Sequence, residues 1–369
     1  MRSCIAFIIF FSILNFLSSC SDLGFYWQAA NGHFMLLNKK QNIQELINSP
    51  NTPSEIKRKL KLVQSTRSFA NQHLTIPLNQ SYTGYVELER SYVTLVVTAS
   101  KPLELKAYQW CYWFIGCQEY RGFFLESDAK FFASEISKEN FDVSIRPVSA
   151  YSTLGWLSKP WLPDYFSDPV LSSFLRRHDA DLISTLFHEM AHKIVFVKND
   201  TTFNESFAVF VEQEALSQFL ERYKDTDLFR GNGDKIFKWY LSARDDRALF
   251  INLIEHTYNK MQDLYLSKVP ANEKLLKKRE LFIELRENYQ VNKKSFKVLS
   301  YDKWFEKKLN NTHLLGVKRY NSKVKKFAQL FKKSGKKWPK FFKSVQDLAN
   351  LTKKERDSFM DSLDRKYEK

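Results

Sequence analysis

Two histidines four residues apart, His188 and His192, lie in an apolar stretch near the middle of the 369-residue chain. Residues four apart share one face of a helix, so both imidazoles can bind the same ion. The neighbouring residues predict a buried helix, because the flanks are apolar: Leu182, Ile183, Leu186, Phe187, Ile194 and Val195. The chain must therefore fold so that a buried helix presents two ligands to one point, as at the bottom of a cleft.

The residue after the first histidine gives this pair a chemical meaning. Glu189 completes the pattern His-Glu-x-x-His, which on a helix is the signature of zinc peptidases. Glu189 projects beside the metal, where it can accept a proton from water and later deliver it to the leaving amine. Two core histidines beside a salt-bridged glutamate are the less favoured interpretation of the same residues.

A third ligand is needed, because a catalytic zinc takes three protein ligands and leaves its fourth position to water. Glu205 lies in the first turn of a second amphipathic helix that Asn204 begins, and residues 198–202 form a turn long enough to fold that helix back. We therefore predict one zinc ion per chain, bound by His188, His192 and Glu205. The alternative for Glu205 is an ordinary acid that interacts with the helix dipole.

An oxyanion formed at such a centre needs a further hydrogen-bond donor. Tyrosine hydroxyls and histidine imidazoles near the ion usually fill this role. The candidates are Tyr151, His313 and Tyr320, and the sequence does not choose among them.

The fold class follows from turns and periodicity. Glycine and proline number only 10 each, which argues against an all-β architecture of small turns. β-Branched residues predict a strand at Tyr92–Ala99, with Leu103–Trp113 as its neighbour and Val143–Val148 as a third. Helical spacing covers Phe25–Leu37, Ile43–Ala70, Ser127–Lys138 and nearly everything beyond Asp179. We predict an α+β fold, mostly helical, with a small sheet.

The first twenty residues have the character of an export signal. Arg2 precedes an apolar run from Ile5 to Leu17, which is too short for a comfortable transmembrane helix. The run ends in Leu-Ser-Ser-Cys, which resembles a bacterial lipobox, so residues 1–19 would be a lipoprotein signal peptide and Cys20 the lipidated first residue. A plain cleaved signal or an uncleaved anchor is the alternative. Ser21 follows in place of an aspartate retention signal, which favours the outer membrane.

Cys111 and Cys117 are the two cysteines that remain in the mature chain. An exported compartment is oxidising, so we predict a short-loop disulfide between them. Two reduced, buried thiols are the alternative.

The positive charge is concentrated at the end of the chain. Residues 293–369 contain 23 Lys and Arg against 8 Asp and Glu, and the rest nearly balances. Such a basic helical part could attract anionic lipid headgroups beside a tethered protein. A solvated lysine-rich face is an equally favoured interpretation. A nucleic-acid partner conflicts with export and is not expected.

Several separated motifs resemble the bacterial putative aminopeptidases, which are exported His-Glu-x-x-His proteins. They are Tyr26–Ala30, Trp110–Cys111, Gly116–Cys117, Tyr120–Phe124, Tyr151–Trp156, the metal motif with Asn204–Ala208, Asn310–Leu314 and Tyr320. The likeness extends over nearly the whole mature chain. It implies a zincin-like metallopeptidase domain over residues 20–369, with a small β-sheet beside the metal-binding helix.

Asn204–Ala208 also resembles the Asn-Glu-Gly-Phe-Ala element of large zinc aminopeptidases, where the glutamate is the third zinc ligand. The interval from His192 to Glu205 is shorter here, and no Gly-x-Met-Glu-Asn segment is present to bind a substrate's free amine. The sequence thus supports a peptidase more firmly than an aminopeptidase.

The predicted function is zinc-dependent peptide hydrolysis in the cell envelope, facing the periplasm, and the family resemblance implies an aminopeptidase. The partners would be a peptide substrate and the membrane. The alternative is a non-catalytic envelope lipoprotein whose zinc site is structural or which serves as a partner-binding scaffold. No cysteine lies near the motif, whereas structural zinc sites often use cysteine, so the enzyme is favoured.

Overall fold

A computed structural model describes residues 24–112, 116–150 and 164–364. The predicted signal peptide, Cys20 and Tyr151 lie outside these residues. The described part is mostly helical with small sheets, so the α+β prediction is confirmed. Its strands are β1 (Gln41–Asn42), β2 (Gly84–Val86), β3 (Thr94–Ser100), β4 (Trp110–Tyr112), β5 (Gly116–Gln118), β6 (Arg121–Phe123), β7 (Asp142–Val148) and β8 (Val170–Leu171).

The helices of the first half connect these strands, and those of the second half follow one another directly. They are α1 (24–38), α2 (Ile43–Asn48), α3 (Ser54–Gln72), α4 (Glu126–Lys138), α5 (Ser172–Leu175), α6 (Asp179–Ala191), α7 (Thr201–Tyr223), α8 (Gly233–Leu266), α9 (Ala271–Asn292), α10 (Asp302–Phe305), α11 (Asn311–Asn321), α12 (Val324–Lys333), α13 (Trp338–Ala349) and α14 (Lys353–Asp364). None of the helices in the described ranges has both the length and the apolar character needed to cross a bilayer.

The main sheet has the antiparallel order β6-β3-β7, with every residue of β3 buried in the centre. The predicted third strand is β7, and it forms an edge whose residues 145–147 are exposed. A second small sheet places β2 between β1 and β8, and β8 leads through α5 into α6. Short sheets thus position both the edge strand β7 and the start of α6.

Within the described residues, the prediction of Leu103–Trp113 as a neighbour of β3 holds only at its centre: Ala107 forms an isolated antiparallel bridge with Ser100, and the Tyr108 N–H donates to the Ala99 carbonyl at 2.8 Å. Only Trp110–Tyr112 is a strand, and it pairs with β5. Residues 101–106 form a tight turn, because two side chains donate hydrogen bonds to their backbone carbonyl groups. Ser100 Oγ donates to the carbonyls of Glu104 and Lys106 at 2.8 and 2.9 Å, and the Asn311 amide donates to those of residues 101, 102 and 104. Carbonyls bound in this way are not available to a neighbouring strand.

The largest hydrophobic cluster surrounds α7. Helices α3 and α6 pack on one side of it, where Phe69, Phe187 and Phe219 form edge-to-face ring contacts. Helices α12 and α13 pack on the other side through Phe327 and Phe341. The basic C-terminal part is therefore helical, and its apolar face contributes to the main core.

Candidate metal centre

Helix α6 carries the two histidines on a face distinct from its core face. Its apolar residues are fully buried against the main cluster: Leu182, Ile183, Leu186, Phe187 and Met190. The helix ends at Ala191, and His192 caps it with a helical backbone conformation. Because His188 is one turn earlier, the two imidazoles project on the same side, as the spacing predicted.

Helix α7 begins three residues earlier than the sequence indicated. Asp200 is its N-cap and accepts a hydrogen bond from the backbone of Phe203 at 3.1 Å. The Asn204 amide binds both the N–H and the carbonyl of Val197 at 2.8 Å, which ties the connecting loop to the helix. Glu205 consequently lies in the second turn of α7, not the first, and is not an N-terminal acid.

The three predicted ligands converge. The Nε2 atom of His188 is 3.2 Å from Oε2 of Glu205, and the Nε2 atom of His192 is 3.9 Å from the same oxygen. One ligand atom from each residue lies within 4.8 Å of the others. Ligand atoms about 2.1 Å from a tetrahedral zinc are roughly 3.4 Å apart, so this donor set fits zinc after small side-chain adjustments.

The protonation of the cluster also suits a cation. Burial lowers the pKa of His192 to about 4, so its imidazole is neutral, and its Nδ1 has no hydrogen-bond partner. Burial also opposes the charged form of His188, but hydrogen bonds to two carboxylates raise its pKa well above the usual value. Burial disfavours the charged form of Glu205, yet His188 and His192 lower its pKa below the usual range. A metal ion at this point would replace the proton on His188.

Glu212 is a further residue of the candidate centre, and the sequence did not predict it. Its Oε2 is 3.1 Å from Nδ1 of His188, and its other oxygen accepts a hydrogen bond from Ser184. Metal-bound histidines usually donate their second ring N–H to such a carboxylate, which fixes the tautomer and the ring orientation. The available signal was its position seven residues after Glu205, two turns along the same face of α7.

Glu189 is adjacent to the ligands without being one of them. Burial raises its pKa to about 7, and the nearby carboxylates reinforce that rise against the opposing effect of His188. A carboxylate with a pKa near neutrality can both accept and return a proton at working pH. Its placement lining the cleft agrees with the role expected for it.

The three candidate oxyanion donors differ in their distance from the ligands. The ring of Tyr320 is 6.1 Å from that of His188, so this tyrosine lies at the centre. His313 is seven residues earlier in α11, about 10 Å away along the helix axis. There its Nδ1 accepts a hydrogen bond from the backbone of Asn310 in a capping box, which gives it a structural role. Tyr151 is outside the described residues.

Tyr120 is a second tyrosine near the ligands. Burial raises the pKa of its hydroxyl well above the usual value, and the neighbouring charge of Glu205 adds to this. The buried Arg319 lies with its guanidinium 5.8 Å from the Tyr120 ring and forms an ion pair with Glu119 at 2.8 Å. The sequence analysis noted Tyr120 only as part of a family motif.

A cleft of about 270 Å³ opens beside the ligands. Its described walls are α6, α7, Tyr320 and residues 146–150 at the end of β7. The edge strand beside the cleft is therefore β7, and the strand predicted at Tyr92–Ala99 does not line the cleft. The reason is strand order, because Thr94–Ser100 is enclosed between two other strands.

Cys111 and Cys117 are joined by a disulfide across the β4–β5 hairpin. The backbone N–H of Cys117 donates to the Asn199 side chain at 2.7 Å, in the loop between α6 and α7. Gly116 has a positive φ of 76°, and a Cβ there would lie 2.4 Å from Asn199, so only glycine fits this approach. Among its described residues, the hairpin contacts the loop that connects the two ligand helices and does not line the cleft.

A family model described as putative aminopeptidase matches residues 24–360. The chain belongs to this family. The matched range contains α6, α7, Tyr120, Tyr320 and the edge strand β7. No curated protein and no solved structure gives a significant match.

Proposed function

We propose that this family member is a zinc-dependent peptidase of the cell envelope. One observation carries the proposal: two histidines of one buried helix and a glutamate of the next converge within 4.8 Å beside a cleft. Glu189 lies next to them, with a pKa of about 7. These four residues are the ligands and the base of a hydrolytic zinc centre. The arrangement, with its nearby edge strand, supports a zincin-like assignment for the domain from residue 20 to 369.

Each residue has a defined part in the reaction. Bound by His188, His192 and Glu205, zinc would acidify a water and polarise the scissile carbonyl. Glu189 takes the proton from the attacking water and returns it to the leaving amine. Glu212 keeps Nδ1 of His188 protonated, so that Nε2 faces the ion.

Hydrogen bonds to the developing oxyanion come from tyrosine in this proposal. Tyr320 is the first choice, because its ring is adjacent to that of His188 and lines the cleft. Tyr120 is the second, since its buried hydroxyl is close enough for the charge of Glu205 to act on it. A neutral hydroxyl is the form that donates, and burial keeps both tyrosines neutral.

The substrate backbone would pair with β7. This strand is an edge, its residues 145–147 are exposed, and it ends at the cleft. An extended peptide can add to such an edge through main-chain hydrogen bonds, which bind many sequences alike. Pro147 provides no N–H, so pairing would rely on the N–H groups of its neighbours.

A structural zinc site is the competing function. Structural sites normally have four protein ligands. Within the described ranges, three residues around His188 are placed to bind one metal ion. The adjacent Glu189 lines the cleft and is not one of these ligands. This composition favours catalysis.

The proposed location is the periplasmic face of a membrane, through a lipid on Cys20. Helix α1 begins within four residues of Cys20 and exposes Trp27 at 74% and Met35 at 59%, with Phe34 between them. Aromatic and apolar side chains suit the headgroup region of a bilayer. The exposed lysines of α12 and α13 would add attraction to anionic lipids. Cys20→Ser should leave the protein unprocessed or soluble, and mass spectrometry that finds an unmodified N-terminus beyond residue 20 would refute lipidation.

The direct test combines zinc quantification with digestion of a mixed peptide library. About one zinc per chain and new peptide ends that disappear with a chelator are the expected results. The ends that appear show whether the enzyme trims from the amino terminus. A zinc-loaded protein that leaves the library intact would support the structural alternative.

A further inference from the structure

The cleft beside the proposed zinc site is bordered by two arginines. Arg146 lies on the exposed part of β7, and Arg177 lies directly before α6. Both side chains are exposed at the cleft. The two arginines therefore come from different elements and meet at one opening.

Neither guanidinium takes part in an ion pair within the described part of the chain. The neighbouring Arg176 shows the contrast, because it binds the Glu87 carboxylate at 2.9 Å. Arg247, farther along the chain, lies 3.6 Å from Asp181 of α6. Arg146 instead has its guanidinium 5.9 Å from the centre of the Tyr320 ring, a contact that leaves its N–H donors available.

The position of Arg146 relates it to the chemistry. Its guanidinium contacts the Tyr320 ring, and the centre of that ring is 6.1 Å from the centre of the His188 ring. An extended peptide advances about 3.4 Å per residue, so a group within about three residues of the scissile bond can reach this arginine.

The acidic side chains that line the described cleft are already engaged. Glu212 binds His188 and Ser184, and Glu189 is the proposed base. No described carboxylate of the cleft lining is left to bind a substrate's free amine. The exposed charged side chains of the cleft lining are Arg146 and Arg177, and their positive charge favours a negative group on the substrate.

We propose that Arg146 and Arg177 bind a carboxylate of the peptide, so that the cleft selects substrates with a negative charge within about three residues of the scissile bond. This inference rests on the proposed peptidase function and specifies its substrate class. A guanidinium donates two parallel hydrogen bonds to a carboxylate, which gives orientation as well as affinity. The carboxylate is either the peptide's C-terminus or an acidic side chain.

Three tetrapeptides with free amino termini separate these sources. They are Ala-Leu-Phe-Ala with a free C-terminus, the same peptide as its C-terminal amide, and Ala-Leu-Glu-Ala amide. Binding is measured by calorimetry on zinc-loaded protein carrying Glu189→Gln, which prevents turnover. We expect at least one carboxylate peptide to bind about 10-fold more tightly than the neutral amide.

Substitution of the arginines tests the assignment. Arg146→Gln and Arg177→Gln should each remove most of that preference, whereas Arg176→Gln should retain it as the matched exposed control. Thermal melts of all three variants check that the fold is unchanged. Equal binding of the three peptides, no binding of any, or a preference that persists in the Arg146→Gln/Arg177→Gln double variant would overturn the inference.

Turnover of the same peptides by the protein with Glu189 intact separates the two proposals. Carboxylate-selective binding without any cleavage would refute the peptidase function and leave the arginine site standing. Cleavage of all three peptides at equal kcat/KM would support the peptidase and refute the selectivity.

Discussion

The two sides of α7 differ in what they bury. Towards α6 the helix presents carboxylates, Glu205 and Glu212, to a histidine that touches both. Towards the C-terminal helices it presents Phe207 and Phe210, which pack on α12 and α13. Burying the charges on the first side costs free energy of folding, and the burial of apolar surface on the second side can offset that cost.

The C-terminal helices thus support α7, which carries two carboxylates of the candidate metal centre. Their lysines face solvent, and their aromatic residues hold the back of α7. A buried ion pair between Arg356 of α14 and Asp200, the N-cap of α7, adds a polar connection at 2.7 Å. Substitutions on the apolar side of α7 should therefore change mainly the free energy of unfolding, and substitutions on the polar side should change mainly the affinity for metal.

The largest effect is expected on the apolar side. Phe341→Ala removes a fully buried ring that contacts Phe207, Phe210 and Phe331, so it should lower the free energy of unfolding by about 4 kcal/mol. The folded fraction should still bind one zinc. Phe359→Ala is the control, because that ring is 40% exposed and should cost less than 1 kcal/mol. Denaturant unfolding measures both, and equal losses would show that α13 does not support α7.

A smaller effect is expected on the polar side. Glu212→Gln removes the carboxylate that orients His188, so zinc affinity should fall about 10- to 100-fold while the melting temperature of the metal-free protein changes little. Glu214→Gln, on the same helix and bonded to Gln218, is the matched control. Competition with a chromogenic chelator measures the affinity. Unchanged affinity in Glu212→Gln would remove Glu212 from the centre.

The smallest effect on stability is expected at Asp246, which binds the backbone of residues 297–299 at the start of the basic C-terminal part. Buried Asp246 of α8 accepts backbone hydrogen bonds from Lys297, Val298 and Leu299 at 2.8–2.9 Å. Burial works to raise its pKa, but these hydrogen bonds outweigh it and hold the pKa below the usual value. Because the folded pKa is depressed, the stabilisation is present above about pH 4 and is lost as pH falls through the folded pKa.

Asp246→Asn should therefore cost about 1 kcal/mol at pH 7, and the difference from the parent should shrink below about pH 4. Exposed Asp245→Asn is the control. Unfolding free energies measured across this pH range provide the test. A difference that grows on acidification would contradict the role of the Asp246 charge.

The same comparison explains what could be predicted from sequence. Helical periodicity predicted that His188 and His192 share one face, whereas Glu205, on the next helix, was predicted from the need for a third ligand and from the resemblance of Asn204–Ala208 to a zinc-binding element. Glu212 was not predicted: its place two turns after Glu205 puts it on the same helix face, but the local sequence does not show that a histidine of another helix lies opposite it.

The packing of the C-terminal helices on α7 and the strand order of the main sheet were harder to predict. Amphipathic spacing shows that α12 and α13 bury one face, but it does not identify the partner, and α7 lies more than a hundred residues earlier. Strand order is likewise absent from local patterns, so the sequence did not show that β3 is enclosed between two strands or that β7 is the edge beside the cleft. The turn after Ser100 depended on Asn311, which is distant in sequence.

The central claim is that the two glutamates of the centre have different roles, Glu205 as ligand and Glu189 as base. Zinc content and peptide turnover of Glu189→Gln and Glu205→Gln test it most directly. We predict that Glu189→Gln retains about one zinc per chain and loses roughly 10²- to 10⁴-fold in kcat, because only the proton transfer is removed. Glu205→Gln should lose the metal. A Glu189→Gln protein without zinc beside a Glu205→Gln protein that retains it would contradict the account.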